Sequence, residues 1–296
     1  MKEDSPSLLP QLCLIIAMFL WGSSFIALKL AFAEYHPMVV IFGRMAVASL
    51  IFLFSLPRFR QIRIRRQDWK LLFFMALSEP CLYFLFEAMA LKNTSASQAS
   101  IITTMLPLLV VVTSGVFLAE KFSPANLAGL VLAMAGGIGL SLGSEVSEHA
   151  PAPLLGNFYE FLAMVCATAY TISVKRLASH YSPLFLTAVQ AWVGALFFGP
   201  ILLLPGVVLP DSLSLVPTLA ILYLGLAVTI LAYGMYNYAL STMDAGKAAI
   251  YVNLIPLFTM FLGWLVFRES FTPFQYCSGL LIFFGVGLSQ KFWLNR

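Results

Sequence analysis

The sequence predicts an all-α membrane protein, with ten transmembrane helices arranged as two inverted five-helix repeats around a central cavity. Three observations carry this prediction. Apolar residues make up 60% of the 296-residue chain and charged ones 10%, whereas soluble domains carry about 25% charge. The apolar residues fall into runs of about 20, enough to cross a hydrocarbon core of about 30 Å. Finally, the second half of the chain repeats the first.

In chain order, polar punctuation divides the apolar runs into spans over 8–32, 38–57, 69–91, 96–119, 124–143, 155–178, 183–205, 214–240, 246–267 and 273–293. The first span has one lysine before it and no clear cleavage site, so it reads as a spanning helix rather than a signal peptide. Arg/Gln, Ser/Glu/His/Pro and Pro/Asp/Ser mark the longest breaks, at 58–68, 144–154 and 206–213. Ser123-Pro124 and Thr272-Pro273 each pair an N-cap with a proline at the first helical position, opening spans 5 and 10. Pro107 and Pro256 lie within spans 4 and 9. There each removes a backbone hydrogen bond and marks a packing kink or a hinge.

Charge sets the orientation. With the N-terminus cytoplasmic, the inner side collects Lys2, Arg58, Arg60, Arg63, Arg65, Arg66, Lys70, Lys121, Lys175, Arg176, Lys247, Lys291 and Arg296. The outer side keeps Lys29, Lys92 and Arg268. Such a bias predicts that both termini are cytoplasmic, in a multi-pass protein of a bacterial inner membrane. The net charge of +4 therefore implies no nucleic-acid partner; the stretch "RFRQIRIRR" is a topology anchor or a site for anionic lipid or protein. Cys13, Cys81, Cys166 and Cys277 stand singly in apolar runs, and His36, His149 and His180 fall in connections. Neither set has the spacing of a metal or redox centre, so buried small hydrophobes are expected for the cysteines.

The internal repeat is explicit. "AMFLWGSSFIALK" (17–29) returns as "AMVCATAYTISVK" (163–175), and "ALKNTSASQASIITTMLPL" (90–108) returns as "ALSTMDAGKAAIYVNLIPL" (239–257). At the latter spacing "EKFSP" (120–124) returns as "ESFTP" (269–273). Residues 1–150 thus form a first repeat and 151–296 a second. An odd number of spans separates them, so they are inverted in the membrane, as in secondary transporters that bind substrate near the midplane.

"WGSSF" (21–25), "FGRMAVASL" (42–50) and above all the segment 90–138, which joins spans 3 to 5 through a small-residue turn with Pro and Glu markers, resemble the EamA-type ten-helix members of the drug/metabolite transporter superfamily. The resemblance covers nearly the whole chain. It implies alternating-access transport of small metabolites such as amino acids, often exported with proton coupling or by exchange. Small or apolar residues are what it implies at positions 79, 87 and 160. The glutamates there depart from that pattern and are candidate specificity determinants.

Ionisable residues inside spans are Arg44, Glu79, Glu87 and Glu160. Each costs about 2.5–3.5 kcal/mol at mid-bilayer and should face protein or water. By helical rise, Glu79 lies roughly 15 Å from the cytoplasmic end of span 3, while Glu87 and Arg44 lie roughly 6 and 9 Å from the outer end. An Arg44–Glu87 ion pair, a gate or a substrate contact follows from that depth. Glu79 has no cation at its own depth, which makes it a candidate proton or substrate site, or a hydrogen-bonded structural acid. Glu79, Tyr83 and Glu87 would share one helical stripe. Trp21, Tyr83, Tyr159, Tyr170, Tyr233, Tyr236 and Tyr238, with Asn237 and Asn253 nearby, are packing or interface residues. Alternatively they wall a site for a zwitterion or cation.

The expected function is secondary transport of small amino, zwitterionic or cationic metabolites, more in the sense of export, by a monomer or homodimer without cofactor. Import or exchange of a nucleoside-like cofactor is the alternative within the same class. A lipid-handling protein or membrane enzyme is the alternative outside it. An enzyme needs a nucleophile–base pair or metal cluster at one membrane face, which the sequence does not display. Glycine clusters at 136–143 and 285–287 lack the Lys-Ser/Thr ending of a phosphate loop and read as helix-packing surfaces.

Overall fold

The computed structural model describes residues 8–120, 123–142, 150–268 and 272–294. Lys2, Lys121, His149 and Arg296, together with the Lys291 side chain, lie outside the described residues. Among the described residues ten spans appear, and their bounds follow the apolar runs: α1 Leu9–Phe32, α2 Pro37–Leu53, α3 Trp69–Asn93, α4 Ala96–Phe117 and α5 Pro124–Leu142 in the first half. The second half holds α6 Pro153–Leu177, α7 Pro183–Ile201, α8 Leu215–Thr242, α9 Ala245–Phe267 and α10 Pro273–Leu294. Six of them, among the described residues, have both the length and the hydropathy to cross a membrane unaided. Helix α2, at 17 residues, is shorter, and α6 is more polar.

Side-chain chemistry accounts for the helix starts. Proline occupies the first turn of α2 and α7, preceded by His36 and Ser182. Ser182 accepts the Phe185 N–H at 3.3 Å, and His36 accepts the Met38 N–H at Nδ1, also at 3.3 Å. Burial, with a contribution from Lys92, holds the His36 imidazole below its usual pKa and so keeps Nδ1 an acceptor. Prolines 124 and 273 open α5 and α10 as expected. At the predicted cytoplasmic end, Glu120 accepts the Ala245 and Gly246 N–H groups at the start of α9 (2.8 and 3.1 Å). Lys175 donates to the Leu240 and Met243 carbonyls (2.9 and 2.8 Å) at the end of α8. These side chains answer the helix dipoles and the unpaired terminal groups.

Packing obeys an internal twofold relation. Helix α3 packs on α6 as α8 packs on α1, α4 packs on α6 as α9 packs on α1, and α2 packs on α8 as α7 packs on α3. The pairs α2–α7, α4–α9 and α5–α10 pack on their own counterparts. Tight approaches use glycine. A Cβ on Gly22 of α1 would fall 2.9 Å from the Phe258 Cβ of α9, and one on Gly225 of α8 would fall 3.0 Å from the Arg44 carbonyl of α2. Large apolar side chains such as Phe73, Val116 and Leu196 are exposed, as a lipid-facing surface requires.

Two expectations change. Of the cysteines, Cys81 is buried, Cys13 and Cys166 are half-buried and Cys277 is exposed; a thiol on a lipid-facing helix needs no protein cover. More important for function, α3 is not one continuous helix. It runs as Trp69–Ala76, a wide i→i+5 stretch Leu77–Leu82 and Tyr83–Asn93, with Glu79 extended at φ −147°, ψ 119° and a cis bond to Pro80. Its counterpart α8 carries the same kind of stretch at Leu224–Ala232. Helices α4 and α9 break too, at Thr103–Thr104 and Tyr251–Leu254, just before Pro107 and Pro256.

The closest backbone approach supplies a test. A Cβ on Gly156 would lie 2.7 and 2.8 Å from the Cβ and backbone nitrogen of Thr94. Gly156→Ala is therefore expected to destabilise the α3–α6 contact by about 1–3 kcal/mol. It should lower the unfolding midpoint in detergent, whereas Gly115→Ala, with open space around it, should not.

Candidate functional site

A central cavity lies between α1, α2, α3 and α4 of the first half and α6, α8 and α9 of the second. Arg44, Glu79 and Glu87 line it together, each at most 4% exposed. Glu79, expected to stand without a cation at its own depth, shares the cavity with Arg44, whose charge acts on both carboxylates. Glu79 also leaves the predicted stripe: Tyr83 still donates to Glu87 at 3.0 Å, while Glu79 accepts the hydroxyl of Tyr233 from α8.

The expected Arg44–Glu87 ion pair is not formed. Arg44 instead donates from Nε to the Thr229 hydroxyl at 3.1 Å and stands 4.4 Å from the centre of the Phe84 ring. Thr229 passes its own proton to the Leu224 carbonyl at 2.9 Å, five residues back. The wide stretch of α8 thus turns a hydroxyl toward a buried guanidinium, as wide stretches often do at functional sites. Cation–π contact with Phe84 offsets part of the lost hydration. Gly225, one turn before Thr229, lets α2 and α8 approach closely enough for this bond. Likewise Gly194 of α7 leaves room for the Pro80 ring, since a Cβ there would sit 2.7 Å from it.

Rings form the opposite wall. Trp21 lies 5.1 Å from the Tyr233 ring and 4.9 Å from that of Tyr236, and Tyr170 meets Tyr233 edge-on at 6.1 Å. Behind the rings runs a buried polar chain. The Tyr170 hydroxyl contacts Gln190 Oε1 (3.1 Å) and Asn237 Oδ1 (2.9 Å), and Asn237 donates to Thr187 at 3.0 Å. One hydroxyl proton serves one acceptor at a time. Both contacts hold together when Gln190 turns its amide nitrogen to Tyr170. Asn237 therefore supports the wall from behind rather than lining the cavity.

The remaining candidates disperse. Glu160 is fully buried one turn beyond Gly156, beside α3, and neither carboxyl oxygen has a partner. It does not line the cavity, although Glu87 acts on it electrostatically. Asn253, in the short tight turn of α9, is likewise fully buried with both amide atoms unpartnered. Tyr159 and Tyr238 are half-buried and away from the cavity. Pro107 and Pro256 sit just behind the breaks of their helices, with Thr103, Leu106, Val252 and Ile255 around those breaks on the cavity wall.

The profile of the EamA-like transporter family matches this sequence twice, over residues 8–142 and again over 154–289. The chain belongs to the EamA-like transporter family. An uncharacterized transporter of Archaeoglobus fulgidus is 28% identical over 285 residues, covering 94% of this chain and 96% of the relative. A probable terminal-alkyne amino-acid exporter of Streptantibioticus cattleyicolor is 22% identical over 284 residues, covering 96% and 94%. A chain of known crystal structure superposes with a TM-score of 0.75 at 20% identity, covering 96% of each chain, so it shares the fold. The EamA protein is accordingly a multi-pass integral membrane transporter. Its two profile matches bracket the two halves that the packing relates.

Proposed function

We propose that this EamA transporter moves small amino, zwitterionic or cationic metabolites by alternating access, in the direction of export, with proton coupling or exchange. The observation that carries the reading is one cavity wall bearing a buried cation and two buried carboxylates, faced by aromatic rings. Such a wall complements a molecule with separated positive and negative groups and an apolar body. The name of the Streptantibioticus cattleyicolor relative, a probable amino-acid exporter, supports both the substrate class and the direction.

In this mechanism residues 1–150 and 151–296 are the two units that rock about the cavity. Glu79 is the proton carrier or the seat of the substrate's ammonium group, with Glu87 and Glu160 as further carboxyls of the coupling set. Three features support that role for Glu79: its burial, its place in the break of α3, and its bond to Tyr233 across the halves. The joints are the tightened turns of α4 and α9 ahead of Pro107 and Pro256, where i→i−3 bonds replace the regular helical ladder. Both termini face the cytoplasm of a bacterial inner membrane. Support comes from Arg58, Arg60, Arg63, Arg65 and Arg66, all exposed beside the membrane-facing Trp69.

Glu79→Gln is expected to abolish the pH dependence of flux in proteoliposomes; an unchanged pH profile removes Glu79 from coupling. Replacing Pro107 and Pro256 together by alanine restores two backbone donors. It should slow counterflow several-fold without lowering the unfolding midpoint, and undiminished counterflow argues against the joints. A fluorescent reporter fused after Arg296 should mature in cells while a phosphatase fused there stays inactive; the opposite pattern reverses the orientation.

A further inference from the structure

Among the residues lining the central cavity, the buried polar atoms without a partner are Trp21 Nε1 and Arg44 Nη2. Both are donors. The acidic residues on the same cavity each accept a tyrosine hydroxyl at Oε1, Glu79 from Tyr233 and Glu87 from Tyr83, and no hydrogen bond joins either to Trp21 Nε1 or Arg44 Nη2. Buried donors almost always find acceptors, because an unmet one forfeits its bond to water without replacement. Two unmet donors on neighbouring helices of one cavity therefore define the chemistry of a group that it can accept.

We infer that Trp21 Nε1 and Arg44 Nη2 form a carboxylate subsite that holds the acid group of the transported metabolite. This assignment rests on the zwitterion reading above and adds which end of the substrate lies where. A guanidinium N–H and an indole N–H offer one donor to each oxygen of a carboxylate, and the Arg44 charge supplies the countercharge. Its Nε is committed to Thr229 and its guanidinium face to the Phe84 ring, so Nη2 is held in a set direction. A dianionic phosphate fits poorly, because it would meet two donors and two flanking carboxylates, Glu79 and Glu87. With the acid group on α1 and α2, the substrate's ammonium faces the carboxylates of α3. Its apolar body lies against Trp21, Tyr233 and Tyr236.

The test is uptake into proteoliposomes of a labelled set: neutral amino acids, their amides and the corresponding decarboxylated amines. The wild-type chain should prefer acid over amide and amine. Trp21→Phe keeps an aromatic ring but removes the N–H, and should cut that preference about tenfold. Arg44→Gln should cut it further, provided that variant retains the wild-type elution profile in detergent. A wild type that takes up amines and amides as readily as acids overturns the subsite while leaving transport of cationic metabolites standing. So does a Trp21→Phe chain with an unchanged preference. If none of the three series is taken up, the zwitterion reading falls and the subsite falls with it.

Discussion

A guanidinium buried at 1% exposure within a membrane is the constraint around which the central structure is organised. Placing Arg44 there is tolerable only if neighbours replace water, and each replacement fixes a piece of backbone. Thr229 must present a hydroxyl, which the wide stretch of α8 does. Phe84 must turn its face, which sets the register of α3 against α2. Gly225 must lack a side chain so that the two helices meet. Two carboxylates, Glu79 and Glu87, share the cavity with the charge. Truncating one member of such a set leaves the others stranded, so its members act as a unit.

Much of this architecture was legible in the sequence. Apolar run lengths gave the spans to within a few residues, because lipid permits little besides helix across that depth. The repeats at 90–108 and 239–257 lead directly to the paired prolines and to the breaks before them. Presence of a cavity charge set was equally readable, since Arg44, Glu79 and Glu87 stand out against an uncharged background.

Geometry at Glu79 was not. A Glu-Pro inside a helical pattern reads as a kink, whereas the chain becomes extended for one residue and swings the carboxylate toward Tyr233. Helix α8 gives less warning still: "YLGLAVTILAYG" contains no proline, and its wide stretch is legible only by overlaying the two halves. The counterpart of Arg44 was hidden for a related reason. The spacing that carries 17–29 onto 163–175 also carries Arg44 onto Gln190, but it differs from the spacing of the longer repeat. Glu120 appeared only as a repeat marker; that it caps the start of α9 depends on two helix ends meeting in space.

Gln190 in the place of Arg44 means that the two halves share a fold but not an electrical character. The charges on the cavity belong to α2 and α3, while the second half lends them neutral hydroxyls. Two of the bonds that cross that boundary hold the cavity ions, Tyr233 to Glu79 and Arg44 to Thr229. Any sliding of one half past the other strips both ions of neutral partners in the same movement. The vacated valences must then be met by water or by cargo. That requirement ties the freedom of the halves to what occupies the space between them.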